Sequence, residues 1–149
     1  MTVRAMSASD TFHKAFRGNF SSLLSWRQLD EFWDVVRRNA GAGWYLYAIG
    51  APVPAHQSSA ADVVRFIAEV DNLLHSEHHE DYCGIVYTDS MEAPTLIKIF
   101  DPNHLGVSCG FSNNPPLPGW VMSLIPPQPI ESQRPLPASR QRWWQTLWT

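Results

Sequence analysis

The sequence predicts an α+β fold in which two helices pack on a mostly antiparallel sheet of about four strands, followed by a Pro-rich extended C-terminal arm. Three observations predict it: two segments with helical apolar periodicity, four short segments rich in β-branched and aromatic residues, and a proline-rich composition from residue 115 onward. The order of elements is α-β-α-β-β-β. We therefore divide the chain into an N-terminal extension (1–24), a single α+β domain (25–125) and a Pro/Trp-rich arm (126–149).

Both helices are predicted from a capping residue followed by an apolar stripe. Ser25 and Gln28 have the spacing of a capping box, and large apolar side chains then recur every three or four positions. Ser59 begins the second helix in the same way, and its apolar face continues to about His78. Each stripe predicts that one side of the helix is buried against the sheet.

The predicted strands are 44–50, 83–88, 95–100 and 107–111. The connections between the last three are too short for a parallel crossover, so these strands form an antiparallel meander. If the first turn centres near Met91 and Glu92, residue 83 lies opposite residue 100. In that register, three features meet at one end of the sheet. They are the end of the second helix, the start of the 83–88 strand and the turn after residue 100.

Charge is distributed unevenly along a chain whose net charge is −3. Eight acids and one base lie between Glu69 and Asp101, whereas three arginines and no acid follow Glu131. Binding of phosphates requires a basic stripe, so nucleic acid is disfavoured as a partner. No segment is long and apolar enough to be a transmembrane helix, and neither a secretory leader nor a CxxC motif is present, so we expect a cytoplasmic location.

The segment LLHSEHHEDYCG (73–84) is a candidate metal site. Imidazoles three and four positions apart share one side of a helix and can bind one zinc or iron ion. The predicted sheet register brings further ligands to the same corner. The full candidate set is His75, His78, His79, Cys83, Asp101 and His104.

In a metalloenzyme, Glu77 or Glu80 would be the acid or base beside a metal-bound water. The competing interpretation is structural, since histidines complement the dipole at a helix C-terminus and Cys83 suits a small buried position. The absence of HExxH, and of any zinc-signature spacing, favours the structural interpretation.

The arm ends in RWWQTLW, and its three tryptophans represent on the order of 10 kcal/mol of apolar transfer energy. We therefore expect the arm to dock on its own domain, on a second copy, on another protein or, less favourably, on a membrane surface. The candidate partner-binding residues are Trp120, Arg140, Arg142, Trp143, Trp144 and Trp148.

No nucleophile elbow, phosphate-binding loop or dinucleotide fingerprint is present, which argues against an enzyme. The sequence thus favours a small binding or accessory protein that associates with another protein or with a second copy of itself. The alternative is a small metal-binding protein or metalloenzyme that uses the six candidate metal ligands named above. A weaker alternative is a small-molecule pocket lined by Trp44, Tyr45, Tyr47 and Tyr82.

Overall fold

The computed structural model describes residues 8–79, 83–103, 117–131 and 136–148. Over these ranges the chain forms four helices: α1 (Ala8–Phe16), α2 (Trp26–Arg38), α3 (Ala60–Glu77) and α4 (Ala138–Leu147). It also forms one sheet from β1 (Ser21–Ser22), β2 (Tyr45–Ala48), β3 (Val86–Thr88), β4 (Leu96–Ile99) and β5 (Trp120–Ser123). The predicted α+β fold is confirmed.

The sheet has the strand order β1-β3-β4-β5-β2, and every neighbouring pair is antiparallel. In the β3–β4 hairpin, Val86 pairs with Ile99, so the register differs by two residues from the predicted pairing of 83 with 100. Because side chains alternate with a period of two, this shift leaves each of them on its predicted face.

The starts of α2 and α3 follow the predicted capping pattern. Ser25 Oγ accepts a hydrogen bond from the backbone N–H of Gln28 at 3.0 Å, and the side chain of Gln28 accepts one from the N–H of Leu24. Ser59 Oγ accepts from the third residue of its helix at 3.2 Å. Helix α3 ends at Glu77, because His78 has already left helical dihedral angles (φ −118°, ψ 108°).

Two apolar layers cover the two faces of the sheet. Helices α2, α3 and α4 pack on one face, which also buries the side chains of Leu46, Val86 and Ile99. Helix α1 covers the other face together with the segment around Ile125 and Ile130. Opposite faces of the central strands therefore belong to different clusters, as expected from the alternation of side chains along a strand.

Several elements differ from the predicted ones. Strand β5 lies where the proline-rich composition predicted extended chain, and β1 adds an edge strand within the predicted N-terminal extension. The predicted strand 107–111 lies outside the described residues. The domain boundaries at residues 24 and 125 stay a prediction. Among the helices that the structure describes, none has the length and apolar character needed to cross a bilayer.

Candidate metal centre

Helices α2 and α3 bring two carboxylates and one imidazole together on the outside of the domain. Asp30 comes from α2, and Asp71 and His75 lie four residues apart on α3. One ligand atom from each side chain lies within 4.8 Å of the other two. Ligands that bind one metal at about 2.0–2.2 Å lie at most about 4.4 Å apart. The 4.8 Å within which these atoms lie is thus slightly wider than the spacing around one ion, so binding would require the ligand atoms to move closer together.

Two tryptophans of α2 hold the ligands of α3 in position. The indole N–H of Trp33 donates to Asp71 Oδ1 at 3.2 Å, and Trp33 itself is fully buried. The ring of Trp26 stacks on the imidazole of His75, with centroids 4.1 Å apart and planes inclined by 28°. Contacts of this kind outside the ligand shell fix the orientation of metal ligands.

The electrostatic balance of this group favours a cation. Burial raises the pKa of the Asp71 carboxyl, and the nearby charge of Asp30 raises it further. The neighbouring His75, 3.5 Å from Asp71 Oδ1, and the hydrogen bond from Trp33 oppose the rise. The charge of Arg37 also opposes the rise, and a divalent ion between the two carboxylates would favour the ionised form of both.

The ligand chemistry restricts the kind of ion. One imidazole nitrogen and two carboxylate oxygens suit Zn²⁺, Mn²⁺ or Fe²⁺, whereas Mg²⁺ and Ca²⁺ prefer oxygen ligands alone. Three protein ligands leave at least one position for water or a small anion, as in catalytic rather than structural zinc sites. The arrangement can thus bind an ion and expose it to solvent.

Of the five predicted metal ligands that lie within the described residues, only His75 belongs to this group. Asp101 is instead buried against Arg140, which donates to it from Nε at 2.8 Å and from Nη2 at 3.0 Å. Arg140 also forms an ion pair with Glu77 at 2.7 Å. The hydrogen bonds from Arg140 to Asp101 raise the pKa of the guanidinium, so Arg140 stays charged in this ion pair.

The other predicted ligands lie apart. Cys83 is fully buried and unpaired, and burial raises the pKa of its thiol, so it resembles a core residue more than a thiolate ligand. His78 lies beside Trp26 at the helix end, and His79 is exposed beyond it, so neither continues the helical spacing of His75. His104 lies outside the described residues.

The arm folds back onto its own domain, which was one of the expected outcomes. Trp143 and Trp144 pack against Phe66, with ring centroids at 6.4 and 5.9 Å, and Trp143 also contacts Trp120. Of the predicted partner-binding residues, Trp120 and Arg140 are therefore in the interior, with exposed fractions of 1% and 7%. The three arm tryptophans are half-buried, and Arg142 is exposed.

Two of the residues proposed to line a small-molecule pocket, Trp44 and Tyr47, lie on opposite faces of the sheet. Trp44 is fully buried on the face covered by α2, α3 and α4, and it donates to the Asn39 carbonyl at 3.0 Å. Tyr47 is buried on the opposite face, where its hydroxyl accepts from the N–H of Ile130. Tyr45 is half-buried, and Tyr82 lies outside the described residues.

Asp30 and Asp71, two of the three residues in the candidate metal centre, were not identified from the sequence. Asp71 carried a usable signal, because an aspartate four residues before His75 lies on the same helical face. Asp30 carried none, since its proximity depends on how α2 packs on α3.

Comparison of the chain with protein-family models, with curated proteins and with solved structures finds no match.

Proposed function

We propose that this protein binds a divalent transition-metal ion between α2 and α3, with Asp30, Asp71 and His75 as its ligands. The observation that supports the proposal is the proximity of three potential ligand atoms from two helices. The contacts of Trp26 and Trp33 add support, because ligands that are already oriented lose less side-chain entropy when they bind an ion.

The open coordination position suggests the role of the ion. A metal held by three protein ligands near the surface can take up a water molecule or a small anion from solvent. The two acids of the group are themselves the proposed ligands. We therefore propose metal binding, rather than a particular reaction, as the function of this site.

We expect His75→Ala and Asp30→Asn each to weaken Zn²⁺ or Mn²⁺ binding by at least about tenfold. Loss of contacts outside the ligand shell already lowers metal affinity by about 10–100-fold, and loss of a ligand has at least that effect. Isothermal titration calorimetry of the untagged, chelator-treated protein measures the affinity directly. Leaving off a histidine tag matters because the tag binds the same metals.

Two variants are matched controls for this experiment. Asp34→Asn removes another exposed carboxylate one turn further along α2, where it forms a surface ion pair with Arg37 and is not part of the proposed group. His79→Ala removes an imidazole that the sequence predicted as a ligand but that lies outside the proposed group. Both should bind metal like the wild type. Retained affinity in His75→Ala, or equal losses in Asp34→Asn and Asp30→Asn, would contradict the proposed site.

A second proposal is association with another protein or with a second copy of the chain through the outer face of α4. Trp143, Trp144 and Trp148 remain partly exposed after the arm has docked, and Arg142 lies beside them in solvent. Tryptophan and arginine are the residues most enriched at energetic centres of interfaces. The acidic middle of a second copy would complement Arg142, and a cytoplasmic setting is part of this proposal.

If the protein self-associates in this way, Arg142→Glu should shift it from dimer to monomer, because the new charge repels the acidic surface. Sedimentation velocity over a hundredfold range of protein concentration would detect the shift. Arg38→Glu, at an exposed position on α2, is the matched control and should leave the wild-type behaviour unchanged. A wild type that is monomeric throughout the range would contradict self-association.

A further inference from the structure

The surface beneath α4 has the features of a site that receives a helix, and we call it the arm-binding face. Phe66 of α3 and Trp120 of β5 supply its aromatic rings, and both belong to the core that the sheet shares with α2, α3 and α4. Glu77 at the end of α3 and Asp101 just after β4 supply two acids. The face therefore combines an apolar centre with negative charge.

Contacts at both ends of α4 determine its position on the arm-binding face. At the start of the helix, Arg140 donates to Asp101 from Nε at 2.8 Å and from Nη2 at 3.0 Å. The same guanidinium forms an ion pair with Glu77 at 2.7 Å. At the other end, the Leu147 carbonyl accepts from Arg65 Nη1 at 3.0 Å. Paired hydrogen bonds between arginine and a carboxylate are specific in geometry as well as in charge, so the face recognises an arginine-bearing helix in one orientation.

The contacts just described are made by α4 itself and not by the chain that connects it to the sheet. Five residues of that connection are prolines: Pro126, Pro127, Pro129, Pro135 and Pro137. Proline has no backbone N–H with which to attach the connection to a helix or a strand. Because every copy of the chain has the same α4, a second copy can offer the same contacts to the arm-binding face.

The docked arm leaves part of the arm-binding face unsatisfied. The indole N–H of Trp120 is buried and has no hydrogen-bond partner among the described residues, although the ring of Trp143 lies 5.2 Å from it between centroids. A buried donor without an acceptor weakens the contact that buries it. Trp143 and Trp144 also remain half-buried after docking. The arm therefore docks specifically but incompletely, which favours its release.

We propose that the arm-binding face is an exchange site, at which α4 of a second copy of the chain replaces the protein's own arm. Exchange of identical elements is a low-cost route to a dimer, because each copy already carries both the helix and the face that receives it. The protein's own arm is favoured by its attachment, since a linked segment competes at an effective concentration on the order of millimolar. Exchange is thus favoured when the own arm is loosened. It depends neither on the metal group nor on the exposed face of α4.

A labelled peptide of residues 136–148 tests the proposal on the full-length protein, because it carries the α4 of a second copy. The double variant Trp143→Ala/Trp144→Ala loosens the protein's own arm by removing the rings that pack on Phe66, and it introduces no buried charge. Arg140→Lys is a second and milder variant, since lysine keeps the charge but cannot donate the paired hydrogen bonds. Circular dichroism verifies that each variant is folded, and fluorescence anisotropy measures its affinity for the peptide.

We expect the peptide to bind the folded variants at least about tenfold more tightly than the wild type, whose own arm competes for the same face. A peptide with Arg140→Glu is the matched control. It keeps all three tryptophans, but Glu77 and Asp101 repel its new charge, so it should bind at least about tenfold more weakly.

Two results would overturn the proposal. Equal affinity of the two peptides would mean that the rings adhere without specificity. Equal affinity of the wild type and the variants for the first peptide, or no binding to any of them, would mean that the arm packs only within its own chain.

Discussion

Arg140→Ala is expected to destabilise the protein by about 3–5 kcal/mol, the usual effect of removing one partner from a buried ion pair. The substitution leaves Asp101 buried, 5% exposed, without the two hydrogen bonds that Arg140 donates to it. It also frees Glu77 from its contact at 2.7 Å. A domain of this size is stable by only about 5–15 kcal/mol in total, so the loss is a large fraction of it. Urea unfolding followed by tryptophan fluorescence gives the free energy directly.

Arg142→Ala is the matched control, since it removes an exposed arginine two residues further along α4 and should change stability by no more than about 0.5 kcal/mol. The double variant Arg140→Ala/Asp101→Ala should be less unstable than the sum of the two single variants, because the buried charge disappears with its partner. An Arg140→Ala protein as stable as Arg142→Ala would contradict the idea that this ion pair anchors the arm.

The positions of α2 and α3 were predictable because they depend on local signals, whereas α1 and α4 lie in segments that were predicted as an N-terminal extension and an extended arm. The caps at Ser25 and Ser59 and the apolar stripes behind them are encoded within a few residues. The β3–β4 hairpin was predictable for the same reason, since a short connection permits only an antiparallel return. Its register was two residues out, because composition locates a turn less accurately than it locates a strand.

Strand β5 was missed because its signal is non-local. It contains four residues directly after a proline-rich stretch, and in isolation such a segment is typical of extended loop. Its identity as a strand comes from its partners: Val121 pairs with Tyr47 on one side and with Lys98 on the other. A strand inserted between two earlier ones depends on contacts that no window of sequence contains.

The metal site predicted from the sequence also depended on contacts between residues that are far apart in the chain. The prediction relied on α3 continuing far enough to align His75 with His79, and on Asp101 facing that corner with no other partner. The helix ends at Glu77, and Arg140 from the arm reaches Asp101 across 39 positions of sequence. Which acid lies near a histidine depends on how α2 and α4 pack. Composition and spacing in the sequence do not specify that packing.

Trp33 connects the stability of the core with the proposed metal site, and Trp33→Ala should therefore impair both. Trp33 is fully buried between α2 and α3, and deletion of such a side chain typically destabilises by about 3–5 kcal/mol. Trp33→Phe is the more informative variant. It keeps an aromatic ring in the core but removes the N–H that donates to Asp71, which should lower Zn²⁺ affinity by about 10–100-fold.

Trp44→Phe is the matched control for that experiment, because Trp44 is equally buried in the same core but donates to a backbone carbonyl away from the metal group. Both phenylalanine variants should lose similar stability in thermal unfolding, while only Trp33→Phe should lose affinity in calorimetry. If both kept the wild-type affinity, the Trp33 hydrogen bond would be structural and would not orient Asp71 for an ion. If both lost affinity equally, the loss would reflect a loosened core, so only the difference between the two variants supports a role for Trp33 in holding the ligand.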